Sequence, residues 1–73
     1  MFEALKNLEN SWYGRLEDIV EELEDLGIDT DCCYISREFI GVSFEEDGED
    51  VEVDIRLGGT ERTITIDDVK LVA

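Results

Sequence analysis

Residues 40–57 read IGVSFEEDGEDVEVDIRL, and this stretch decides the fold. Apolar side chains alternate with polar ones on both sides of Asp47-Gly48: Ile40, Val42 and Phe44 before it, Val51, Val53, Ile55 and Leu57 after it. A period of two marks a strand with one buried face. Asp-Gly between two such runs favours a two-residue turn, whose central positions both need positive φ. That turn pairs residue 46 with 49, and therefore Phe44 with Val51, Val42 with Val53 and Ile40 with Ile55. Each apolar residue falls opposite another, a consistency that the turn assignment does not impose.

Working outward, Gly58-Gly59 marks a second hairpin leading to Ile64 and Ile66. A two-residue loop there sets Val53 against Ile64, Val51 against Ile66 and Arg56 against Glu61; a loop at Gly59-Thr60 keeps the same faces. The apolar residues of Cys32–Ser36 are out of phase with Ile40 onward, so a bulge or bend is expected near Arg37-Glu38. Val69 and Leu71 form a last short run after Asp67-Asp68. Strands are expected at about 32–46, 49–57, 60–66 and 69–72.

Upstream the period changes to that of a helix. Phe2, Leu5, Leu8, Trp12, Leu16, Ile19, Val20, Leu23 and Leu26 follow one another at steps mostly of three and four, one stripe of an amphipathic helix over 2–26. Gly27 suits the left-handed C′ position, with Ile28 reaching back to Leu23 as in a Schellman cap. Gly14 weakens the middle by about 1 kcal/mol relative to Ala. Asn10 or Ser11 could cap a second start, but the stripe stays in phase, so one helix kinked near Gly14 is the expectation. The fold class is α+β: a single domain, 1–73, with the helix laid on a three- or four-stranded antiparallel sheet in the order α-β-β-β.

Composition removes most chemistry. The chain has 73 residues, 21 Asp plus Glu against 6 Lys plus Arg, no His, and a net charge of −15. Without imidazole there is no His-based acid/base pair or triad, and two Cys cannot make a four-thiolate metal site. The charge sign argues against direct binding to nucleic acid or an anionic membrane. The longest apolar run, Cys32–Ile35, is too short for a membrane span or a signal peptide. A cytoplasmic protein with both cysteines reduced is the expectation, and a strained vicinal disulfide is disfavoured by geometry. No enzyme activity, cofactor or metal is expected. An EF-hand built on Gly48 would need ligands at 43, 45 and 47 and Glu at 54, but 43 is Ser, 54 is Asp, and strands flank the loop. A glycosidase cleft does not fit in so small a domain.

The acids fall into two groups. Glu17, Asp18, Glu21, Glu22, Glu24 and Asp25 lie off the apolar stripe of the helix, offset nearby by Lys6 and Arg15 alone. Carboxylates one turn apart repel, and those in the last turn oppose the helix dipole. On the sheet, Glu45, Asp50, Glu52, Asp54, Glu61 and Asp67 are expected to face away from the core, with Arg56 the only base. Glu45 and Asp50 oppose each other directly, which costs stability. Alternate strand residues repeat at about 6.6 Å, and helix residues 17, 21 and 24 at about one 5.4 Å turn. Phosphates along a nucleic-acid strand repeat at a broadly similar interval.

In size, charge and the acidic runs Glu17 to Asp25 and Glu45 to Asp54, the chain resembles the small acidic DNA-mimic inhibitors that phages encode against restriction and CRISPR enzymes. The resemblance implies a non-enzymatic protein that occupies the basic nucleic-acid-binding surface of a nuclease or defence effector, in the host cytoplasm if phage-encoded. The acids implied in partner binding are Glu17, Asp18, Glu21, Glu22, Glu24, Asp25, Glu45, Asp50, Glu52 and Asp54. Arg15, Arg37, Arg56 and Arg62 interrupt the acidic surface. Two other readings stay open. A small acidic adaptor would use aromatic anchors, for which Tyr13 and Phe39 are the candidates because Trp12 sits on the core stripe. A halophilic domain would carry its acids for solvation only. The chain is a monomer or a homodimer, and a symmetric dimer would double the acidic footprint.

Overall fold

The computed structural model describes residues 1–72; Ala73, the last residue of the expected domain, lies outside them. The first hairpin forms in the expected register. Strand β3 (Phe39–Glu46) pairs antiparallel with β4 (Glu49–Gly59), with Phe44 opposite Val51, Val42 opposite Val53 and Ile40 opposite Ile55. Asp47 and Gly48 have φ of 53° and 80°, the backbone that a two-residue turn with the native twist requires.

The second hairpin differs from expectation. Four residues separate β4 from strand β5 (Ile64–Leu71), and Gly59 pairs with Ile64, Leu57 with Ile66 and Arg56 with Asp68. The ladder shifts between Arg56 and Leu57, leaving Asp67 as an extra residue on β5. This bulge has a simple cause: Ile66 and Val69 are both buried, and three residues apart they face one side only if one residue is inserted between them. The separate strands expected at 60–66 and 69–72 are therefore one bulged strand.

The N-terminal helix is the larger correction. In place of one helix over 2–26 there are α1 (Phe2–Lys6), a two-residue strand β1 (Trp12–Tyr13) and α2 (Leu16–Asp25). Asn10 takes a φ of 70°, a conformation that Asn visits more readily than most residues. Its amide donates to the Ile66 carbonyl, and the Ile66 amide donates to that of Ser11. The edge of β5 thus captures residues 10–13, and tertiary pairing overrides a helical pattern that Asn7, Asn10, Ser11 and Gly14 support weakly. Neither Asn10 nor Ser11 caps the second helix, whose N-cap is Arg15. Its C-terminus closes as expected, with the Gly27 amide donating to Glu24 and the Ile28 amide to Leu23, a Schellman motif.

Between α2 and the sheet runs a short 3₁₀ turn, Thr30–Cys32, and then β2 (Tyr34–Ile35). Tyr34 pairs with Gly41 and Ile35 with Ile40, so the bend expected near Arg37-Glu38 is the turn of a tight hairpin, and the single strand expected over 32–46 is two. The sheet is antiparallel with five strands, in the order β1-β5-β4-β3-β2. Its inner face, including Ile40, Val42, Val53, Ile55, Ile66 and Val69, packs against Leu5, Leu8, Ile19, Leu23 and Ile28. No helix among the described residues is long and apolar enough to cross a membrane.

An ion pair closes part of the β5 edge. Lys6 Nζ donates to Glu9 Oε2 at 3.0 Å and to the Val69 carbonyl at 3.0 Å, while the Val69 amide donates to Glu9 Oε2 at 2.9 Å. These bonds, the Val69 amide first and Lys6 next, hold the Glu9 carboxyl below its ordinary value of 4.5. A lowered carboxyl adds stability above the ordinary value, and that contribution is lost as pH falls through the lowered one. Glu9→Gln should therefore lower the urea midpoint near neutral pH, with the gap from wild type closing below about pH 4.5. A gap that persisted undiminished into strong acid would show that the carboxylate charge is irrelevant to the clip.

Candidate acidic binding surface

Strand alternation and helix packing sort the acids. Ile40, Val42 and Phe44 on β3 and Val51, Val53 and Ile55 on β4 face the core, which sends Glu45, Asp50, Glu52 and Asp54 to the open face of the sheet, where all are exposed. Glu45 stands opposite Asp50, and Glu46 opposite Glu49, with Asp47 at the turn between them. The hairpin tip is thus a ladder of carboxylates facing carboxylates. Asp50, Glu52 and Asp54 follow one another along β4 at about 6.6 Å. On α2, Ile19 and Leu23 are buried against the inner face, which turns Glu17, Glu21, Glu24 and Asp25 outward, with Asp18 and Glu22 half-buried at the margin.

Two expectations for the open face are revised. Glu61 lies in the loop between β4 and β5 and not opposite Arg56, whose partner is Asp68. Arg56 is also not the only base there, because Lys70 stands opposite Asp54. The far half of this face therefore alternates in charge around a shallow groove bordered by Glu38, Phe39, Asp54, Arg56, Asp68 and Lys70. The hairpin half stays purely acidic.

Ion pairing leaves this acid uncompensated. Among the described residues three ion pairs form: the N-terminal ammonium with Glu46, Lys6 with Glu9, and Arg15 with Asp18. Of the acids singled out from the sequence, Asp18 alone takes part in one. Arg37 is committed to the Thr60 carbonyl at 2.8 Å. No group of His, Cys, Asp and Glu among the described residues is arranged to hold a metal ion.

The aromatic residues trade places relative to expectation. Tyr13 turns inward and packs against the core, where burial and the nearby Glu22 carboxylate raise its phenol above the ordinary value. Trp12, expected in the core, is 71% exposed on the open sheet face beside Thr65. The signal that could have found it is Asn10-Ser11, a poor helix stretch two residues upstream. Phe39 is exposed as expected and stacks on Tyr34, ring centroids 5.0 Å apart. The pair flanks Gly41, where a Cβ would sit in ordinary contact with both residues, 3.6 Å from Tyr34 Cβ and 3.9 Å from Phe39 Cε2.

No protein-family model, curated protein or solved structure matches this chain. The geometry therefore stands alone. Its sharpest feature is that the two acidic groups lie on opposite sides of the molecule, one on the outer side of the helix layer and one on the open sheet face. The Cα trace measures 38 × 19 × 18 Å, a rod with carboxylates on two opposed flanks.

The cysteines add no reactive centre. Cys32 is exposed and Cys33 half-buried, both free. A hydrogen bond to Asp29 and its charge raise the Cys32 thiol above the ordinary value, and burial raises that of Cys33. Both favour the unreactive protonated form.

Proposed function

We propose that this protein is a non-enzymatic inhibitor that occupies the basic nucleic-acid-binding cleft of a partner protein by imitating the charge of a DNA duplex. The observation that supports this most is the pair of acidic flanks on a rod whose length, 38 Å, is close to one turn of B-DNA, about 34–36 Å. A duplex likewise carries its phosphates on two strands around a common axis. A flat basic patch could engage one flank only, so the fitting partner is one that grips DNA from two sides, such as a nuclease or defence effector with a cleft or channel. Docking there would release the counterions held by both partners and be steered electrostatically.

The test is capture and displacement. The protein immobilised at about 0.15 M salt should retain a nucleic-acid-binding enzyme from a host lysate, and excess duplex DNA should release it. A retained partner that excess DNA leaves bound would overturn the proposal. The halophile reading makes a separate forecast: unfolding at low ionic strength and refolding in molar salt, because self-repulsion would then control folding. A fully folded chain at low salt, by circular dichroism, removes that reading and leaves the inhibitor proposal in place.

A further inference from the structure

The two edges of the sheet are finished differently. On the β5 edge, β1 pairs with Ile64 and Thr65, residues 10 and 11 bond Ile66, and the Lys6–Glu9 pair takes both main-chain groups of Val69. On the other edge, β2 pairs with Ile40 and Gly41 only, and the 3₁₀ turn Thr30–Cys32 lies alongside β3 without strand pairing. The Ser36 amide donates to the Phe39 carbonyl, so Phe39, Gly41, Ser43 and Glu45 direct their main-chain groups away from β4. The Ser43 amide meets the Cys33 sulfur. The Ser43 carbonyl and both main-chain groups of Glu45 have no hydrogen-bond partner among the described residues.

A groove of about 570 Å³ runs beside this open edge, between β3 and the turn that follows α2. Its lining includes the apolar Gly27, Ile28 and Phe44 and the acidic Asp29, Glu45 and Glu46. The N-terminal ammonium is the one positive group there, and Glu46 already holds it. An unpaired strand edge is a template for another strand, with main-chain bonds supplying affinity and side-chain pockets supplying selectivity.

We propose that the Ser43–Glu46 edge accepts an extended, lysine- or arginine-bearing segment of the partner protein as an added antiparallel strand. Charge selects this occupant. A second copy of the chain would bring Glu45, Glu46 and Asp29 against their own equivalents, whereas a basic segment meets them with opposite sign. Strand pairing fixes the register of the docked partner, which the acidic flanks alone leave free to slide. The inference rests on the proposed function for the sign of the partner's charge and for nothing else.

The experiment uses the full chain and a blocked synthetic peptide of alternating lysine and valine, followed by amide exchange and NMR shifts. The Glu45 amide should exchange roughly tenfold more slowly or better in the saturated complex, with shifts centred on residues 43–46 and the groove. The same peptide N-methylated at alternate amides keeps its charge and loses its donors, and it should bind at least about tenfold more weakly. Equal binding of the methylated peptide, or shifts centred on Glu17–Asp25 instead, would overturn the inference, since charge alone would then explain the contact. Failure of the functional reading looks different: the peptide pairs with β3, yet no captured partner is displaced by DNA.

Discussion

Gly59→Ala should unfold much of the population at temperatures where the wild-type protein is native, with a loss of about 3 kcal/mol or more. Gly59 has a φ of 96°, where a Cβ is strained in any surroundings. The added carbon would also meet the Thr63 carbonyl oxygen and lie 3.1 Å from the Thr65 amide nitrogen. Both are main-chain atoms held by the closure of the β4–β5 loop, in which the Thr60 amide donates to Thr63 at 2.7 Å. Neither can move without opening the hairpin. A domain of this size has a total stability of roughly 4–11 kcal/mol, so the loss is a large share of it, and the melting temperature should fall by about 15 °C.

Gly58→Ala is the matched comparison. Its Cβ would collide with the Asp67 carboxylate, but that is the free end of a side chain on an exposed bulge. Asp67 can swing away at the cost of its hydrogen bond from Thr65 Oγ1, 2.7 Å long. The expected loss is about 1 kcal/mol. If thermal melts gave the two alanine variants equal losses, the assignment of Gly59 as the rigid corner of this hairpin would be wrong.

The contrast between the hairpins also shows what was legible in the sequence. The β3–β4 register could be read because a two-residue turn leaves one pairing, and the apolar residues on both sides agree with it. The β4–β5 register could not, because Gly58 belongs to the strand and the loop is Thr60–Thr63. The bulge was hidden in plain view, as the odd spacing of Ile66 and Val69. The N-terminal stripe misled for a different reason. Leu5, Leu8, Leu16, Ile19 and Leu23 do share one core, as a helical stripe requires. Two short helices joined through an edge strand satisfy the same spacing, and only the long-range bonds from residues 10 and 11 to Ile66 distinguish the two arrangements. Most of the acids face outward as the periodicity implies, though Asp18 and Glu22 are half-buried and Glu61 lies in a loop, and the placement of the two groups on opposed flanks depends on the three-dimensional layering.

That layering lets stability and binding be separated on the hairpin itself. Glu45→Gln combined with Asp50→Asn should make the protein more stable while weakening its proposed binding to a basic partner. The two carboxylates stand directly opposite each other on the open face, and like charges in that position cost a few tenths of a kcal/mol to about 1 kcal/mol. Removing both charges relieves the repulsion, keeps side-chain size and leaves no buried group unpaired, since both residues are exposed. The urea midpoint should rise. Affinity for a captured partner should fall about a hundredfold near 0.15 M salt, if each carboxylate contributes about 1.5 kcal/mol to a close charge pair across the interface. The salt dependence of binding should become shallower by the same step, because fewer counterions are released. The equivalent change on the other flank, Glu21→Gln with Asp25→Asn, discriminates a cleft from a flat patch. A partner that grips both flanks loses affinity in either double variant, whereas one that touches the sheet alone ignores the helix. Full affinity in both variants would leave the acids with no part in binding, and their cost to the hairpin would then reflect solvation alone.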